Sequence, residues 1–76
     1  MKTVLTKLFI REYKKLPQSL RAKVDRQLKQ LEKNIRHPSL GAKKMVAKEQ
    51  VWEARVDYHH RMTFQLGDGV IVMRRV

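Results

Sequence analysis

The chain contains no cysteine. Disulfides, thiolate metal sites and cysteine nucleophiles are therefore excluded, and a reducing, cytoplasmic location is the natural expectation. Glycine occurs three times and proline twice. There is no low-complexity linker and no glycine-rich loop to cradle a phosphate; the glycines fall where turns are expected. Acidic residues are scarce, with Asp+Glu 7 against Lys+Arg 18 and a formal net charge of +11. No apolar run approaches the length that spans a membrane. The start is not secretory in pattern, because Lys7, Arg11 and Glu12 interrupt its apolar positions.

What is present fits one small folded domain over residues 1–76. Hydrophobic residues make up 42% of the 76, too many for a disordered basic tail. A chain this short cannot enclose a large cavity, so any chemistry belongs on an open face. The charge points to a polyanion or an acidic protein partner. It is uneven: residues 1–38 hold 11 Lys/Arg and 3 Asp/Glu, residues 39–76 hold 7 and 4.

The first half has a helical period. Leu5, Leu8, Phe9, Tyr13 and Leu16 recur at three- and four-residue steps, with Thr3 or Thr6 as cap. Pro17 ends this helix and suits the start of the next. Leu20, Val24, Leu28, Leu31 and Ile35 form the apolar stripe of a second helix. Its other face carries Arg21, Lys23, Arg26, Lys29 and Lys33, a solvated face or a grip for RNA phosphates. The expected unit is a helical hairpin over about 5–35.

His37-Pro38-Ser39-Leu40-Gly41 reads as loop. Beyond it the period becomes two, predicting an antiparallel meander over about 42–76 with a short strand at 42–47. Trp52, Ala54 and Val56 alternate with Glu53, Arg55 and Asp57; Met62, Phe64 and Leu66 alternate with Arg61, Thr63 and Gln65. Asp68-Gly69 is a type I′ hairpin signal. The fold class is α+β, helices packed on one sheet face.

Side-chain parity assigns faces. Trp52, Ala54 and Val56 are expected opposite Leu66, Phe64 and Met62, leaving Tyr58-His59-His60 as loop and Asp57 opposite Arg61. A slip of two would preserve parity. A tight turn at Asp68-Gly69 pairs Leu66 with Ile71, Phe64 with Met73 and Thr63 with Arg74. Arg55, Thr63 and Arg74 then share a row away from the helices, with Arg61 one step off. Lys44 joins the row if Met45 packs inward opposite Trp52; a bulge would substitute Lys43. Converging guanidiniums suit a phosphate. The alternative is exposed pairing of Arg61 with Asp57 and of Arg55 with Glu53 or Asp57. His59 and His60 are adjacent, so on a strand they would point apart, which argues against a shared metal; His60 remains a candidate RNA contact or base. Trp52 and Tyr13 are expected in the core, and Tyr58 sits at the loop edge.

The order of several segments resembles the RelE/ParE toxin superfamily of toxin–antitoxin systems. These are Phe9 through Leu16-Pro17, His37-Pro38-Ser39-Leu40 with Lys43-Lys44-Met45, Trp52-Glu53-Ala54-Arg55-Val56 with His60-Arg61-Met62, and Gly67-Asp68-Gly69-Val70-Ile71-Val72. The resemblance implies a helical hairpin on a small antiparallel sheet, and a first strand near Lys2 to Leu5. It implies either a ribosome-dependent messenger RNA endoribonuclease, RelE-like and working without metal or cofactor, or a ParE-like inhibitor of DNA gyrase. A degraded member that only binds antitoxin or RNA is a third option. An acidic antitoxin is the implied protein partner. The nuclease attacks phosphate with the neighbouring 2′-hydroxyl, which needs a base, an acid and cations for the developing charge. Arg61 matches the family's basic residue after the hairpin loop, and Arg55 matches an arginine of the preceding strand. Lys43 or Lys44 falls where members carry a charged catalytic side chain. Arg74 is added from the register, and Arg21, Lys29, Lys33 and His60 are expected RNA contacts. Family chains usually continue past the position of Val76 with a tail that often supplies the acid or base, so the resemblance implies either a shortened chain or a natural variant with a reduced site.

Overall fold

The computed structural model describes residues 1–45 and 50–76. Strand β1 spans Lys2–Leu5, helix α1 Lys7–Lys14, helix α2 Gln18–Lys33, and a 3-10 turn Pro38–Leu40. Strands β2 (Lys43–Lys44), β3 (Val51–Arg55), β4 (Arg61–Leu66) and β5 (Val70–Arg75) follow. One sheet contains all five, in the order β1-β5-β4-β3-β2. β1 runs parallel to β5, and the other pairs are antiparallel. The sheet is thus a meander closed by a parallel first strand, the strand that the resemblance implied. Of the short strand expected at 42–47, residues 43 and 44 are found and 46–47 lie outside the described residues.

Helix α1 starts later than its leucine spacing suggests. Thr6 is the cap, accepting from the Phe9 N–H at 3.1 Å. Its hydroxyl also donates to the Met73 carbonyl at 2.8 Å, fixing the helix start to β5. Leu5 therefore belongs to the strand. Pro17 sits at the N-cap of α2, one position earlier than its preferred first helical turn. Leu20, Val24 and Leu31 of the stripe are buried, and Leu28 and Ile35 pack at its margin. They meet Ala54, Met62, Phe64, Ile71 and Met73 from the sheet and Phe9 from α1. Trp52 and Tyr13, expected in the core, pack against it only half-buried.

Gln27 is also buried, inside the apolar stripe. Its amide Nε2 donates to the carbonyls of Ser39 at 3.1 Å and Arg55 at 2.9 Å. This side chain ties α2 to the 3-10 turn and to the end of β3. A buried amide is tolerable only with such partners.

The two hairpins differ from expectation in opposite degree. In β4–β5 the pairs Leu66–Ile71 and Phe64–Met73 are those expected. Only Gly69 takes a positive φ, +75°, so the turn is not type I′, which needs two such residues. A bulge then pairs Thr63 with Arg75, leaving Arg74 as the extra residue. In β3–β4 the register is displaced by two: Trp52 pairs with Phe64, Ala54 with Met62 and Arg55 with Arg61. Faces are preserved, but Asp57 leaves the ladder and enters a loop over residues 56–60.

Candidate functional site

The sheet face away from the helices carries the expected basic row in altered form. Across β2, β3, β4 and β5 the row reads Lys43, Glu53, Thr63, Arg75. Two of its cations are already paired. Lys43 Nζ lies 3.5 Å from Glu53. Arg75 donates through Nε and Nη2 to the Glu12 carboxylate, at 2.8 Å for the shortest contact. Glu12 also accepts from the Val76 N–H at 3.2 Å. The Arg75 hydrogen bond in particular holds the Glu12 carboxyl below its ordinary pKa.

Lys44 does not join this row. It pairs with Trp52, and its Nζ stands 5.9 Å from the indole centroid on the helix-facing side. Lys43 takes its place because Met45 lies opposite Val51, donating its N–H to the Val51 carbonyl at 2.8 Å, rather than opposite Trp52. Arg74 is half-buried on the rim of an open concavity with Thr6, Leu8, Thr63, Gln65 and Val72. The Thr63 Oγ1 there is buried without a partner among the described residues. The next row of this face is largely apolar, running Val4, Val72, Gln65, Val51.

Arg55 is opposite Arg61, not Thr63 as expected. The Arg55 side chain lies over Gly41, where a Cβ would meet its Nη2 at 3.2 Å. Gly41 has φ +52°, so glycine is favoured there on both counts. Arg61 closes the loop: its Nη1 donates to the carbonyls of Asp57 (2.8 Å), His60 (3.1 Å) and Tyr58 (3.3 Å). Its Nε and Nη2 make no hydrogen bond with the described residues. Neither arginine forms an ion pair among the described residues, although exposed pairs with Asp57 or Glu53 were the alternative expectation.

Asp57 is the hub of the loop. Its Oδ1 accepts from the N–H groups of His59 (3.0 Å) and His60 (2.9 Å) and lies 2.8 Å from His60 Nδ1. Lys23 reaches its other oxygen at 3.4 Å. The His60 contact, then the two N–H donors and Lys23, hold the Asp57 carboxyl well below the usual carboxylate range. His60 is thereby oriented with its Nδ1 engaged and its Nε2 available. His59 turns to Tyr58 instead, so the two histidines diverge.

The basic side of α2 is a separate surface. Lys29 and Lys33 are exposed on it. Arg21 is half-buried in a crevice with Tyr13, Gln18 and Asp25, its Nε without a partner among the described residues. Sequence reasoning missed Gln27, Glu12 and Asp57 as organisers. Only Asp57, two residues before adjacent histidines at a hairpin end, carries a readable signal, that of an Asx turn.

No family model matches the chain, and no curated protein matches it in sequence. Solved structures do match in fold. The RelB–RelE antitoxin–toxin complex from Methanococcus jannaschii superposes with a TM-score of 0.79 at 16% identity, covering 95% of this chain and 85% of that one. The YoeB dimer from Staphylococcus aureus gives 0.80 at 15% identity, covering 99% and 92%. The YoeB/ParE toxin from Agrobacterium tumefaciens gives 0.79 at 15%, covering 99% and 94%. The chain has the fold of RelE, YoeB and ParE toxins.

Proposed function

We propose that this chain is the toxin of a type II toxin–antitoxin pair and cuts messenger RNA at the ribosome, without a metal, by 2′-hydroxyl attack. One observation carries the nuclease reading: Arg55 and Arg61 are register partners across β3 and β4 while the nearby acids are engaged elsewhere. Like charges directly opposite in a sheet are destabilising. A phosphate between them offsets that repulsion, and planar donors match its oxygens.

In this reaction the 2′-oxygen bonds to phosphorus and the bond to the 5′-oxygen breaks. The products are a 2′,3′-cyclic phosphate and a 5′-hydroxyl. The 2′-hydroxyl proton goes to a base, and an acid protonates the departing 5′-oxygen. Arg55 and Arg61 stabilise the charge on the pentacoordinate phosphorus. Lys43 engages Glu53, which keeps that carboxylate from neutralising the arginines. His60, with Nδ1 held at Asp57, is suited to move a proton through Nε2. Arg74, Arg21, Lys29 and Lys33 supply phosphate contacts along the RNA. The likeness to RelE in its complex with RelB, together with a net charge of +11, supports an acidic antitoxin as partner.

Expression in cells followed by mapping of messenger RNA 5′ ends tests this. Cleavage within translated codons is expected, and Arg61→Ala and Arg55→Ala should each abolish growth arrest while the far-UV spectrum stays unchanged. Intact messages with DNA-damage signalling would replace the nuclease by a gyrase inhibitor. Undiminished arrest in both variants would remove the arginines from the site.

A further inference from the structure

We propose that the β3–β4 loop is a nucleobase-stacking site for single-stranded RNA, with the Tyr58 ring as its platform. Tyr58 is 84% exposed, the most exposed large hydrophobic side chain among the described residues. It contributes nothing to the core. The His59 ring stands against it at 4.8 Å between centroids and 80° between planes. An edge-to-face contact of this kind occupies at most one ring face, so a face of Tyr58 remains for a base.

The loop that carries this ring is fixed before any ligand arrives. Asp57 gathers two backbone N–H groups, the His60 ring and Lys23. Arg61 Nη1 gathers three carbonyls from the other side. Ordering cost is therefore met by the fold rather than by binding, which is what a rigid aromatic anchor requires.

The surroundings select the ligand class. A groove runs between α2 and the end of β3 and reaches the loop at Asp57, the residue before Tyr58; Lys23, Arg26, Gln30, His37 and Arg55 also line it. The loop's single carboxylate is already paired with Lys23 and in hydrogen-bond contact with the His60 ring. An aromatic face at the end of a cationic groove is the arrangement that binds single strands, with phosphates in the groove and a base on the ring. An acidic protein segment would use the groove but would leave the ring with no planar partner. The choice of RNA over DNA rests on the cleavage reading above; the stacking site does not.

The test uses the whole chain and a 12-nucleotide uridine oligomer carrying one 2-aminopurine. Binding should quench the 2-aminopurine, as stacking does. Tyr58→Ala should weaken binding about tenfold or more, and Tyr58→Phe should bind within about twofold of the parent. The dependence of affinity on salt should keep its slope in Tyr58→Ala, because no cation is lost. Absence of binding by the parent chain, binding without quenching, or Tyr58→Ala within twofold of the parent would each overturn the proposal. So would a Tyr58→Ala variant that loses affinity for an acidic peptide but keeps it for the oligomer. Messenger cleavage in cells is a separate measurement, so it can fail while stacking stands, or stand while stacking fails.

Discussion

The two antiparallel hairpins of this sheet close in different ways. β4–β5 turns on backbone alone: Gly69 adopts φ +75° and the Gly67 N–H meets the Val70 carbonyl at 2.9 Å. No side chain is needed there, and none of chemical interest is found. β3–β4 turns through residues 56–60, and side chains do the closing. The Val56 N–H meets the His60 carbonyl at 2.9 Å, and beyond that bond Asp57 satisfies the N–H groups of His59 and His60 while Arg61 gathers the loop carbonyls. The same wiring orients His60 and exhibits Tyr58. A turn that the backbone can close stays chemically plain. A turn closed by side chains concentrates titratable groups at fixed positions, and that is where the candidate site lies.

Substitutions should separate the two modes of closure. The largest stability effect is expected at Gln27, which anchors the wide hairpin at its root. Gln27→Leu leaves the Ser39 and Arg55 carbonyls short of a donor in a buried setting, costing about 2 kcal/mol. Urea unfolding should show a lower midpoint with an unchanged slope. Gly69→Ala should be milder, about 1 kcal/mol, because its Cβ would meet nothing and only the left-handed φ opposes it. If Gly69→Ala proves the costlier, the contrast between the hairpins fails. The smallest global effect is expected from Asp57→Ala. Amide exchange at His59 and His60 should quicken while the Gly67 amide stays protected.

Acid should imitate that last substitution. The Asp57 carboxyl is held below its ordinary pKa in the folded chain, chiefly by His60. Its stabilisation of the loop is therefore complete above the unfolded value, about 3.9, and is lost as pH falls through the depressed folded value. Protection of the His59 and His60 amides relative to their intrinsic exchange, followed from pH 5 downward, should fall before that of the β4–β5 turn. A simultaneous loss of protection in both hairpins would show that Asp57 is not what closes the loop.

Much of this architecture could be read from residue order. Phe64, Leu66, Ile71 and Met73 disclosed both face and register, because a tight glycine turn leaves little freedom. Trp52, Ala54 and Val56 disclosed only their face. Period-two patterning is blind to a slip of two, and the Asx-turn signal at Asp57 does not disclose that the His60 ring will join the two N–H groups on its carboxylate. The choice between Lys43 and Lys44 stayed open in the sequence, because so short a strand offers no alternation to read; the pairing of Lys43 with Glu53 decides it. Leu5 keeps helical spacing with Leu8 and Phe9, yet the Thr6 hydroxyl ends the strand and begins the helix between them. Gln27 was invisible, since an amide in an apolar stripe looks like an interruption until its two carbonyl partners are known. Of the candidate site, Arg55 and Arg61 were expected opposite Thr63 and Asp57, whereas the sheet sets them opposite each other. The Glu12 clamp on Arg75 joins residues 63 positions apart and has no local signature.

The position of β5 has a consequence for how the chain comes into being. β5 is the last strand in the sequence, yet it sits between β1 and β4 and contributes Ile71 and Met73 to the interior. Until it is synthesised, β1 has no neighbour in the sheet, Thr6 has no Met73 carbonyl to hold, and Phe9 faces an unfinished core. The helices can form early from local contacts, but the sheet must wait for its longest-range pairing. Such topologies fold late and comparatively slowly. The sheet is therefore completed only once β5 has been made, and a growing chain carries most of the charge of residues 1–38 well before it carries the shape.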